Sequence, residues 1–396
     1  MNKSQQLLMI LLIMLPSVTL AKPFIPEQDN QIIERLPERL FQSKTSQKIK
    51  VLRAQLKNHP NDWSAASQLA QYYIELSQTQ ADPRYMGYAQ SVLNPWWQTS
   101  LPPLTALLMR AIIRQNAHDF TGANTDLERI LKVQPGHIQA NLIKATIATV
   151  QGNYRTAIQH CRQLMRRSSM IMALVCQSTP ASLSGEAESS YRILHRVLST
   201  HVPMLKKDKA WAWTALAEIA WRLGYFRAAD QHFQTALQSG IKDFYLYRVY
   251  ADYLLQQRRP FDVIELLTSE TQNDSLLLRL ALANQMIHSE QLTEQIALLN
   301  ERYDANRKRG STLHKGDEAR FMLRLQGQPQ AALQLAKQNW QVQREPADTY
   351  ILLQSAIAAN DNEIVQKTAH WLNQQGSSDV LVRQLLASQA DKGDEI

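Results

Sequence analysis

Glycine and proline are scarce in this 396-residue chain, at 12 and 15 copies. So few turn formers disfavour an all-β architecture. Acidic residues are outnumbered by basic ones, leaving +8 at neutral pH, but no basic stripe sits in a recognisable nucleic-acid module. The small clusters at 165–169, 205–209, 256–260 and 306–310 suit helix ends and loops, where cations complement the C-terminal dipole. Catalytic signatures are missing as well. There is no phosphate-cradling glycine loop, no nucleophile elbow and no paired-histidine zinc helix. His160 beside Cys161 is the one adjacency of metal-ligand types, and neighbours on a helix point in different directions. Carboxylates occur mostly singly. The sequence therefore excludes no enzyme outright, but it supplies no site for one, and no metal or cofactor is expected.

Past the first 21 residues no apolar run is long enough to span a bilayer, which takes roughly 20 residues. The exception at the start is too short to span. Lys3, the apolar stretch Leu7–Leu15 and the small residues ending at Ala21 have the arrangement of a secretory signal peptide. Cleavage after Ala21 would leave a soluble protein in the periplasm or outside the cell.

What fills the rest is helical periodicity. Trp213, Leu216, Ala217 and Ala220 fall on one face; Gly224 breaks the run; Ala229, Phe233 and Ala236 form a second face. Two amphipathic helices with a tight turn make a hairpin, and the alanines let them approach closely. The pattern repeats. Ala111, Phe120, Ala123, Leu127, Ile130 and Leu131 are matched 34 residues later by Ala145, Tyr154, Ala157, Cys161, Leu164 and Met165. Each hairpin leaves an apolar face unburied, so neighbours must stack. The fold class is all-α, a solenoid of about nine stacked antiparallel helix pairs. The expected divisions are a signal peptide (1–21), a lead with the first helical repeat (22–62), N-terminal repeats (63–209), central repeats (210–272), C-terminal repeats with a capping helix (273–390) and a disordered tail (391–396).

These residues resemble the tetratricopeptide repeat, with its Trp, Leu and small positions followed by Gly, aromatic and Ala. Residues 82–97, 318–329 and 339–353 further resemble uncharacterised secreted tetratricopeptide proteins of proteobacteria. The resemblance implies a periplasmic helical scaffold that binds a protein or peptide, with an inner-membrane protein as one conceivable partner. It implies no established activity. Two readings follow: a protein-interaction scaffold, and an assembly or maturation factor for an envelope complex.

The two cysteines sit symmetrically about a turn near 168–169, Cys161 before it and Cys176 after it. Antiparallel helices place such positions side by side. An exported chain meets oxidising conditions, so a Cys161–Cys176 disulfide is expected.

The repeat resemblance also implies that first helices line a concave groove. The positions it selects include Trp211, Glu218, Trp221, Arg222, Tyr245, Arg248, Asp252, Asp317, Phe321 and Arg324. Of these, Trp211, Trp221, Arg222, Tyr245, Arg248, Phe321 and Arg324 are the candidate protein-binding residues. Arginine and aromatic side chains are the types that anchor interfaces, and the basic balance suits an acidic client. The alternative for Trp211 and Trp221 is packing into the neighbouring hairpin. Charged groove residues should be solvated, so reversing Arg222 and Arg248 to Glu should leave folding intact.

Overall fold

A computed structural model of the chain describes residues 44–80, 82, 84–200, 203–309 and 315–393. The signal peptide expected at 1–21 lies outside the described residues. The chain divides into two compact units, 1–51 and 52–396. Of the first, only the start of helix α1 (Lys44–Asn58) is described. Everything below concerns the second.

Among the described residues nine antiparallel pairs follow. They are α2 (Trp63–Gln80) with α3 (Arg84–Trp97), α4 (Leu104–Asn116) with α5 (Phe120–Val133), and α6 (Ile138–Val150) with α7 (Tyr154–Arg162). Next come α8 (Met170–Leu183) with α9 (Ala187–Leu198), α10 (Lys206–Arg222) with α11 (Phe226–Leu237), and α12 (Phe244–Gln256) with α13 (Pro260–Leu267). The last are α14 (Asp274–Met286) with α15 (Leu292–Lys308), α16 (Lys315–Arg324) with α17 (Pro329–Trp340), and α18 (Pro346–Ala358) with α19 (Asn362–Gln375). A single helix, α20 (Val380–Gly393), closes the array and runs into the stretch expected as a tail.

The alanines behave as their spacing requires. Ala217, Ala220, Ala229 and Ala236 are fully buried around Phe233, so α10 and α11 touch almost backbone to backbone. Each first helix also packs on the first helix of the next pair. No comparably close packing joins one second helix to the next among the described residues. Stacking of this kind curves the array and puts first helices on its inner face.

The turn inside each pair is made the same way from α4 onward. One residue adopts a left-handed backbone: His118, Gly152, Gly185, Gly224, Arg258, His288, Gly327 or Asn360. At Gly224 the φ is +82°, the Gly224 N–H donates to Trp221 O, and the Tyr225 N–H donates to Ala220 O. That is the Schellman closure of a helix C-terminus. At Arg258 the φ is +56°, and the same two bonds run to Leu255 O and Leu254 O. A side chain with a β-carbon pays for that conformation, whereas glycine does not. Arg258 is exposed and its side chain makes no hydrogen bond or ion pair among the described residues. Arg258→Gly is therefore expected to raise stability by about 0.5–1 kcal/mol in urea unfolding. A loss of stability would show that the turn is held by something other than its backbone.

The array also closes on itself. The Arg344 N–H donates to Val150 O at 2.6 Å, joining the α17–α18 connection to the end of α6. Trp371 of α19 lies over the α6–α7 turn, where a β-carbon at Gly152 would come within 2.8 Å of its ring. Gly376 abuts Gly185 in the α8–α9 turn, and Val380 of α20 lies on Gly224. Three successive left-handed turns thus form a seam that receives the last helices. The open groove implied by a simple stack is bounded here by the chain's own C-terminal pair.

Candidate functional site

Among the described residues, closure leaves a cavity of about 240 Å³. First helices α10, α12, α14 and α16 form its floor, and α18 and α20 form the facing wall. Five of the seven candidate binding residues line it: Trp221, Arg222, Tyr245, Arg248 and Arg324. The other two do not. Trp211 lies seven residues before Glu218, about 10 Å towards the start of α10, and packs against the buried cluster that includes Ile171, Val175 and Leu194. Phe321 is fully buried against Tyr303, with ring centroids 5.3 Å apart. It is one residue round the helix from Arg320, and that rotation turns it from the cavity into the core.

Beneath the cavity an ion network ties three consecutive first helices together. Arg279 of α14 is fully buried. Its guanidinium grips Asp252 of α12 with two bonds of 3.0 Å and donates to Asp317 of α16 at 2.6 Å. Arg320 of α16 also pairs with Asp252. Burial alone would raise both carboxyls, but the attraction of Arg279 and then Arg320 outweighs it, so Asp252 and Asp317 are held below their ordinary range. An arginine inside the leucine-rich run 276–283 was the sequence signal for this network. The groove register passed over it because the α14 repeat matches weakly.

The other carboxylates facing the cavity are committed too. Glu218 accepts the Tyr245 hydroxyl at 2.9 Å, and burial raises the Glu218 carboxyl against the pull of Arg222. Asp379 caps α20 by accepting from the Leu381 and Val382 N–H groups. Glu345 and Asp348 close a reciprocal capping box at the start of α18. Burial first, and Glu345 next, push the Asp348 carboxyl up to about 7.

The cations are less occupied. Arg248 stacks on the Tyr245 ring at 5.0 Å, and neither it nor Arg324 forms an ion pair among the described residues. Arg222 is only 8% exposed; one terminal nitrogen donates to Ser182 Oγ at 2.9 Å, and its Nε has no acceptor. The Trp221 indole N–H is likewise buried without an acceptor. The expectation that the groove arginines are all solvated is thus corrected for Arg222. Charge reversal there would bury a carboxylate in place of a hydrogen-bonded guanidinium. Apolar surface between these groups comes from Leu255, Leu282, Met286, Pro346 and Leu381.

The cysteines form the bond Cys161–Cys176, with Cα atoms 5.4 Å apart. Among the described residues no three His, Cys, Asp or Glu side chains gather as a metal site, and no helix is long and apolar enough to cross a membrane. What the arrangement offers is donors and apolar surface in a helical-repeat scaffold.

No family model and no curated protein sequence matches the chain. Solved structures do. A tetratricopeptide repeat protein from Parabacteroides merdae aligns with 59% of this chain and 90% of its own, at 16% identity and a TM-score of 0.44. The APC/C hetero-tetramer Cut9–Hcn1 aligns with 87% of this chain and 67% of its own, at 12% identity and a TM-score of 0.49. The chain, with its consecutive helix pairs, is similar in structure to tetratricopeptide repeat proteins.

Proposed function

We propose that this chain is a non-enzymatic scaffold of the cell envelope that holds a protein client in the pocket between α10 and α20. The observation that carries the reading is the imbalance inside the pocket. Its carboxylates are committed to internal partners, while Arg248 and Arg324 have no ion pair among the described residues. An acidic client segment supplies what those arginines lack, and aromatic walls at Trp221, Tyr245 and Tyr350 give it surface to pack on. An exported, periplasmic location is supported by the disulfide and by the Lys3, Leu7–Leu15 and Ala21 arrangement. The pocket's donors and apolar surface suit holding a client, which favours an interaction scaffold over an assembly factor.

The test reverses the two arginines that hold no buried bond. Arg248→Glu with Arg324→Glu should leave the helical circular-dichroism signal and melting cooperativity intact. Capture of the crosslinked envelope client should fall at least ~10-fold, and capture by the native chain should weaken with added salt. Undiminished capture of the same client by a folded double variant would place the binding surface elsewhere.

A further inference from the structure

Between Glu128 and Glu186 the chain carries seven Lys or Arg and not one Asp or Glu. Helix dipoles account for part of this. Cations suit the last turns of α5 and α7, where Lys132 and Arg162 sit. By the same rule acids suit the first turns of α6 and α8, and neither helix has one. The segregation of charge therefore exceeds what helix ends require.

The cations also share an edge. Antiparallel pairs put the turns within pairs at one edge of the array and the connections between pairs at the other. Five of the seven, Arg129, Lys132, Arg162, Arg166 and Arg167, lie in or within about a turn of the α5–α6 and α7–α8 connections. These connections touch: the Arg167 side chain lies on the Gly136 backbone, where a β-carbon would come within 2.3 Å of its Nε. Arg129 donates to Ser100 O at 2.7 Å and ties in the α3–α4 connection. Lys132, Arg162 and Arg166 are exposed and form no ion pair among the described residues.

Apolar side chains protrude along the same edge. Leu101 is 88% exposed, Val133 66%, Met165 51% and Met170 55%. At the opposite edge of these repeats, the turns 117–119, 151–153 and 184–186 contain no large apolar residue. That edge instead receives Trp371 at Gly152 and Gly376 at Gly185. The Cys161–Cys176 bond closes the loop that bears Met165, Arg166, Arg167 and Met170, which limits the shapes this tip can take.

We infer that the edge formed by the α3–α4, α5–α6 and α7–α8 connections docks on an anionic lipid surface. Its arginines and Lys132 meet headgroup phosphates, and Leu101, Val133, Met165 and Met170 enter the interface between them. Charge complementarity sets the sign of the partner, and shape sets its class. Protein partners anchor in packed pockets, and the cavity described above lies on the inner face and includes none of these residues. A row of protruding apolar tips flanked by cations instead suits a bilayer surface, where apolar groups reach the acyl boundary and guanidinium or ammonium groups stay among the headgroups. Docking of this kind is independent of the client pocket.

The experiment is sedimentation of the full, disulfide-intact chain with two kinds of vesicle, phosphatidylcholine alone and phosphatidylcholine mixed equally with phosphatidylglycerol. The anionic vesicles should bind ~10-fold or more tightly than the neutral ones, and less tightly as salt rises. Lys132→Glu with Arg166→Glu should lower anionic binding at least ~10-fold. Arg227→Glu with Arg258→Glu makes the same change of charge on exposed residues of the opposite edge, and should lower it less than ~3-fold. Met165→Ser with Met170→Ser alters no charge and should weaken binding ~5-fold or more. The inference is overturned if the chain binds neither vesicle or both equally, if the two charge reversals act alike, or if the methionine variant binds as the native chain does. Soluble polyglutamate that strips the chain from anionic vesicles, and binds the methionine variant equally well, would identify an acidic protein as the partner instead. Because the two vesicles are compared on the unaltered chain, misfolding of a variant does not decide the matter.

Discussion

Arg279→Met should lower the unfolding free energy by about 3–5 kcal/mol, the usual cost of removing one partner from a buried ion cluster. The side chain it replaces is fully buried and holds carboxylates from two other helices, Asp252 and Asp317. Methionine fills much of the volume but offers neither carboxylate a hydrogen bond. Arg320 remains beside Asp252, so Asp317 bears most of the loss. The variant's deficit depends on pH with a definite sign. In the native chain both carboxyls sit below their ordinary value of 3.8, because Arg279 and Arg320 outweigh burial. A lowered folded value supplies stability above the unfolded value and loses it as pH falls through the folded one. Without Arg279, burial dominates and both values rise. The folded variant then gains protons before its unfolded chain does, and so recovers stability as pH falls from 7 towards 4. Asp348, which is raised, contributes a slope of the same kind in both chains, and this cancels in the comparison. Urea unfolding at pH 7 and pH 4.5 should show the deficit shrinking. Adding Asp252→Asn and Asp317→Asn to Arg279→Met should restore much of the loss at pH 7. A deficit below about 1 kcal/mol, or one that grows in acid, would mean the cluster does not hold α12, α14 and α16 together as described.

The hairpins were legible in the sequence because each writes its own burial locally. Ala217, Ala220, Ala229 and Phe233 recur at helical spacing, and the same spacing returns 34 residues away. The left-handed turn was legible at Gly224, where glycine breaks the helical run. Such turns were hidden at His118, Arg258, His288 and Asn360, where the closing backbone bonds hold a residue that does not favour the conformation. Five of the seven candidate binding residues line the cavity, and Phe321 does not, since a rotation of one residue decides between core and cavity. The wall of the pocket was out of reach altogether. Glu345, Tyr350 and Asp379 arrive there because α18–α20 pack on turns nearly two hundred positions earlier, and no local period encodes such a contact. The stretches 318–329 and 339–353, noted for their resemblance, supply Arg320, Arg324, Glu345 and Tyr350 to this pocket.

Loss of the Cys161–Cys176 bond should cost about 3 kcal/mol, the chain-entropy value for a closed loop of this length. The bond spans 15 residues. Its setting differs from the symmetric hairpin that placed it. Helix α7 ends at Arg162, and hydrogen-bonded turns carry the chain through 163–168 to Ser169, whose hydroxyl caps α8 by accepting from the Met172 N–H. A nine-residue helix is short enough to be marginal without support. The disulfide pins its last turn to the middle of α8, inside a cluster with Ala145, Leu164 and Ala173. Both cysteines are buried, Cys161 completely, so a reductant reaches them only when the hairpin opens. Dithiothreitol should therefore cut the bond slowly in native buffer and rapidly in moderate urea. Once reduced, the chain should keep most of its helical signal, because α6 and α9 still cover the hairpin. Hydrogen exchange should rise over 154–183 and much less over 244–286, since damage in a stacked array spreads chiefly to its neighbours. Non-reducing peptide mapping of the purified chain should find the two cysteines joined. The double variant Cys161→Ala with Cys176→Ala should match the reduced chain, with a further small loss from the space the sulfurs leave. Equal urea midpoints for oxidised and reduced protein would show that α7 is held by its packing alone and that the bond does not stabilise the fold.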